Sequence, residues 1–176
     1  MPEPPTHRKH IMSDRTYTRF TIPLSVLADP ARSEAVRCIF GLTTTEFQRI
    51  ILAQPEADEV GFEGTTVRLV GGRPCLVHED PDCNYGGAHT EQALIRAGVP
   101  FLQVNAAGDE YGSTATAWLT SDTETIRLDH DLAPVVGIGM VDGQITLDQL
   151  EIRDFEHYQQ VRQAVLLWPA ASIQAA

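Results

Sequence analysis

The chain has 176 residues and a mass of 19.4 kDa, which fits one domain on the usual scale of roughly 100–200 residues. Apolar residues make up 43% and charged residues 21%, which excludes wholesale disorder, and no run approaches the roughly 18 apolar residues of a membrane-spanning helix. Thirteen basic residues against 24 acidic ones leave a net charge of −11; a field of that sign repels phosphate backbones and argues against direct DNA or RNA binding.

The charge is unevenly placed. Residues 1–50 hold 7 basic and 5 acidic side chains, residues 51–150 hold 4 and 16, and residues 151–176 hold 2 and 3. Lys9 is the only lysine, so Schiff-base chemistry or a phosphate-loop lysine would have to use a residue in a tail-like segment. The three cysteines, Cys38, Cys75 and Cys83, are too few and too odd in number for a disulfide framework. With no apolar stretch of a secretory signal at the start, the expected compartment is the cytoplasm.

In chain order, residues 1–14 read as a disordered tail, proline-rich and then basic, with no apolar period; Met12 offers a second start. Tyr17, Arg19 and Thr21 alternate with Thr18, Phe20 and Ile22, which predicts a strand over 16–26. Asp29-Pro30 predicts a helix start, with Val36, Ile39 and Phe40 on one side and Gly41 ending it. Thr43 or Thr44 caps a second helix through Ala53, which Pro55 stops.

Residues 66–70 predict a strand, Gly71-Gly72 a tight turn, and residues 74–78 the hairpin partner. Residues 80–87 read as a loop by composition. A helix is predicted over 90–97, a strand over 101–104 and a polar loop over 106–112. Strands are predicted over 114–119, 124–129 and 135–141. Asp142-Gly143 predicts a hairpin to 144–150. The last helix, 153–167, carries Phe155, Tyr158, Val161, Val165 and Leu166 at spacings of three and four. Together these predict a single α+β domain over 15–168. It is a mostly antiparallel sheet with about four helices packed on one face, a meander-like C-terminal half and a C-terminal helix, before a frayed tail at 169–176.

Chemistry concentrates between residues 75 and 91. Cys75, His78, Cys83 and His89 are four donors of the kind zinc prefers. Cys75 and His78 lie three apart on a predicted strand, however, and so project from opposite faces unless the strand breaks. His89-Thr90-Glu91 and Pro74-Cys75 are fragments of the zinc-deaminase pattern in reversed order, with no cysteine after Cys83. Asp80, Asp82 and Asn84 alternate ahead of Gly86 as oxygen ligands do in a calcium loop, but Gln92 stands where the bidentate glutamate is needed. Cys83 with His89 could pair as nucleophile and base, yet Glu79, Asp80 and Asp82 would raise the thiol pKa. Gly137-x-Gly139 lies in a strand pattern and precedes no helix, so it is not a dinucleotide loop.

Two functional classes follow. The first is a non-enzymatic, acidic interaction protein. Its face would comprise Glu79, Asp80, Asp82, Tyr85, Asp109, Glu110, Tyr111, Asp129 and Asp131, the tyrosines serving as anchors. The partner would be a basic protein surface, in the sharpest form a nucleic-acid-binding complex inhibited by mimicry, as anti-restriction or anti-CRISPR proteins do. No cofactor is expected there. The alternative is a small zinc-assisted hydrolase or deaminase-like enzyme, with Cys75, His78, Cys83 and His89 as candidate ligands and Glu91 or Glu110 as base. A contact between copies of the chain would come from the hairpin edge at 135–150 or the last helix.

Overall fold

The computed structural model describes residues 15–57, 64–84, 87–106, 112–120, 122–129, 131–141 and 144–168. Its organising strand is β1 (Arg15–Pro23), which pairs antiparallel with two neighbours, β3 (Arg73–Asn84) and β4 (Phe101–Asn105). With β2 (Gly64–Val70), β5 (Thr114–Leu119) and β6 (Asp122–Arg127) they form one six-stranded antiparallel sheet in the order β2-β3-β1-β4-β5-β6. The fold is therefore α+β.

Alternation along the strands divides the core in two. Phe20, Ile22, Val67, Leu76, Phe101 and Trp118 face α1 (Pro30–Ile39), α2 (Thr44–Ile51) and α3 (Ala88–Arg96). Cys75, Val77, Leu102, Ala115, Ala117 and Ile126 face Tyr158, Val161, Val165 and Leu166 of α4 (Gln149–Leu166). The expectation of helices on one face is thus corrected. Adjacent strand residues such as Leu76 and Val77 are both fully buried, so the sheet is apolar on both sides and one helical layer would leave one side wet.

Local chemistry sets the helix ends. The Asp29 carboxylate accepts from the amides of Ala31 and Arg32. Thr43 and Glu46 form a reciprocal capping box that satisfies two otherwise orphaned amides. Helix α4 begins four residues before the expected start at 153 because Asp148 accepts from Leu150 and Glu151. Gly71 and Gly72, at φ +58° and +74°, turn β2 into β3 as a two-residue hairpin loop requires.

Several strand boundaries differ from expectation. The first strand ends at Pro23, and residues 24–28 form a 3-10 turn. Residues 80–84, expected as loop, continue β3 along β1. The pairing is irregular between Thr16 and Thr18, opposite Pro81, where a residue without an amide proton is tolerated. The hairpin at 142–143, a turn outside the described residues, joins two short strands, β7 (Ile138–Val141) and β8 (Gln144–Leu147), which form a sheet of their own.

Candidate functional site

One end of the sheet gathers the acidic connections. Thr18 pairs with both Asp80 and Asn105, Asn105 with Thr114, and Thr114 with Arg127. This row runs from β3 across β1, β4 and β5 to β6, one residue or a few before each strand meets a connection. The end of β3, the chain between β4 and β5, and the chain leaving β6 therefore belong to the same end. Their sequences, 80–87, 106–113 and 128–136, contain six carboxylates and no lysine or arginine. Tyr85, Asp109, Glu110 and Tyr111 fall outside the described residues, but the strand ends flanking them do not.

The described members of the expected acidic face separate into three environments. Asp82 and Asp131 are exposed. Asp80 and Asp129 are half-buried and turn their carboxylates onto their own backbone. Asp80 Oδ1 accepts from the Asp82 amide at 2.9 Å, and Asp129 Oδ1 accepts from the amides of Asp131 and Ala133 at 2.9 Å each. Such side-chain turns fix the loop rather than a ligand.

Glu79 is a correction. It is 1% exposed and cannot belong to a docking face. It lies on the α4 side of the sheet, where Tyr17 donates to Oε1 at 2.5 Å and Arg68 donates to Oε2 at 3.2 Å and to Oε1 at 3.5 Å. Arg19 Nε stands 3.8 Å from Oε1. Arg68 is itself 2% exposed. A buried carboxylate survives only when paired and hydrogen-bonded, and β1, β2 and β3 supply the partners. Tyr17, Arg19 and Arg68 were not singled out in the sequence. The available signal was Arg68 inside the strand run Val67-Arg68-Leu69, since a charge on a strand flanked by apolar residues needs a partner from a neighbouring strand.

The alternative zinc ligands do not meet. Cys75 is fully buried under α4, while His78 lies on the opposite face of β3. There its ring stacks on Phe40 at 4.3 Å, and Nδ1 shares a 2.8 Å hydrogen bond with Thr65. Burial pushes the His78 pKa down despite Asp80 and Glu79 nearby. His89 is exposed on the first turn of α3. Among the described residues, no group of three His, Cys, Asp or Glu side chains is placed to hold a metal ion.

The Cys83 thiol is pushed up by burial and then by the Asp80 charge, partly offset by a hydrogen bond with Thr18. A thiol held protonated is a weak nucleophile. Glu91, one of the two expected bases, is raised by burial alone, and the other, Glu110, lies outside the described residues.

A cavity of about 300 Å³ lies at the opposite end of the sheet from the acidic connections, lined by Pro23, Ser25, Arg73, Pro74, Leu166, Leu167 and Trp168. Ser25, the one hydroxyl among the described lining residues, donates to the Trp168 carbonyl at 2.7 Å. Among the described residues, no imidazole or carboxylate lines this cavity to act as a base. Comparison of the chain with protein-family models, curated proteins and solved structures finds no match.

Proposed function

We propose that the protein is a non-enzymatic interaction protein that docks the acidic end of its sheet on a basic protein surface. The strand order carries this reading. Asp80 and Asp82 lie in the last residues of β3, Asp129 and Asp131 follow β6, and the chain carrying Asp109 and Glu110 leaves β4 and enters β5 at the same end of the sheet. Carboxylates on one surface sum their fields, which steers a basic partner and speeds encounter. In its sharpest form, the partner surface is a nucleic-acid-binding groove and the protein acts as a charge-mimicking inhibitor of the anti-restriction or anti-CRISPR type.

The test replaces Asp80, Asp82, Asp109 and Glu110 together by Asn, Asn, Asn and Gln, and compares partner capture with the wild type at about 0.05 and 0.5 M salt. The variant should bind less and show a flatter salt dependence, and duplex DNA should compete with the wild type for a mimicked groove. Equal capture by both proteins at both salts would remove the acidic end as the docking surface. Binding indifferent to DNA would remove mimicry alone.

A further inference from the structure

The small β7–β8 sheet carries a surface that the acidic end does not explain. In its register Ile138 lies opposite Leu147, Gly139 opposite Thr146, Met140 opposite Ile145, and Val141 opposite Gln144. Cross-strand partners and next-but-one neighbours share a side of a sheet. Ile138, Ile145 and Leu147 therefore share one side. Ile138 is 72% exposed, Ile145 76% and Leu147 53%. Val135 and Leu150 flank the hairpin in sequence and are also exposed, so five of the eight exposed large apolar residues among those described fall within 135–150. Neither strand pairs with a strand of the main sheet among the described residues. A lone two-stranded hairpin is marginally stable in water, and here the described apolar residues of one side are open to solvent.

We propose that this side is covered by the same side of a second copy of the chain, the two hairpins packing face to face about a two-fold axis. Charge selects the copy over a basic partner. Residues 132–147 contain no Lys or Arg and one acidic residue, Asp142, in a chain of net charge −11. Two such chains repel over much of their surfaces and approach with least repulsion here. A basic partner would find almost nothing on this patch to pair with. An apolar patch is complementary to itself, as a two-fold contact demands, and apolar sheet faces pack at about 10 Å.

Sedimentation velocity and light scattering on the full chain, from about 1 to 200 µM, would read the association directly. The mass should rise from 19.4 kDa towards twice that value as concentration increases. Dimerisation should tighten between about 0.1 and 1 M salt, where the screening length falls from about 10 to about 3 Å and like-charge repulsion fades. Ile138→Thr with Ile145→Thr keeps strand propensity and should weaken dimerisation by about 100-fold or more, with circular dichroism and melting temperature unchanged. Should that double variant lose its fold, single Ile145→Glu is read instead, with the same expectation. A wild type monomeric throughout, or variants that dimerise as well as it does, would overturn the proposal. A dimer that loosens with salt would overturn it too, pointing to charge pairing rather than apolar contact.

Discussion

Replacing Glu79 by Ala tests whether its carboxylate belongs to the interior or to a docking surface. Glu79 is 1% exposed and Arg68 2%, and the two meet through contacts of 3.2 and 3.5 Å. The substitution leaves the Arg68 guanidinium buried without this carboxylate and removes the acceptor of the Tyr17 hydroxyl. Breaking a buried ion pair from one side costs about 3–5 kcal/mol, against a total stability of about 5–15 kcal/mol for a folded domain. With a urea slope of about 2 kcal/mol per M, the midpoint should fall by about 2 M. For a chain of this size the melting temperature should fall by about 8–15 °C. Urea titration followed by tryptophan fluorescence reads the change through Trp118, which is buried at 6% exposure in the sheet core. Glu156→Gln, at an exposed position of α4, is the control and should stay within about 0.5 kcal/mol of wild type. If Glu79→Ala also stays within that margin, the carboxylate does not hold the buried cluster together, and its place on an accessible face would have to be reconsidered.

Two further variants probe the packing on either side of the sheet. Gly87 precedes α3 at φ +73°, where an added Cβ would sit 3.0 Å from Phe20 and Thr18 side-chain carbons; Gly87→Ala should cost about 2–4 kcal/mol from left-handed strain and crowding together, and a loss under about 1 kcal/mol in urea titration would show that Phe20 yields. His157 on α4 contacts Glu124 at 2.8 Å and Asp122 at 3.3 Å, and its pKa is raised first by Glu124 and then by Asp122. A raised histidine stabilises fully below its unfolded pKa of about 6.5, and this contribution disappears as pH rises through the folded value. The melting temperature of wild type should therefore exceed that of His157→Gln most at about pH 5.5 and least at about pH 8.5; a gap that is constant or widens with pH would refute the assignment.

Much of the local structure is legible in the sequence. Asp29-Pro30, Thr43 with Glu46, Gly71-Gly72 and Asp142-Gly143 each act through neighbours within a few residues, so the elements they bound could be placed without knowing what they pack on. The apolar period of α4 is equally local, though Asp148 starts the helix earlier than that period implies. Residues 80–84 read as a loop because Asp, Pro and Asn are usual loop residues; pairing with β1 overrides that preference by satisfying the backbone.

The candidate site divides along the same line. Composition determined that the protein is acidic and which segments carry the acid, because charge is a property of the residues themselves. Strand order decided that the end of β3, the chain between β4 and β5 and the chain after β6 share one end, because Thr18 pairs with Asp80, 62 positions on, and with Asn105, 87 positions on, and the row continues from Asn105 through Thr114 to Arg127. The tertiary structure also separated Glu79 from Asp80. The two are adjacent in sequence, but successive strand residues point to opposite faces. Only the arginines brought by β1 and β2 make the Glu79 side of β3 a place where a carboxylate can be buried.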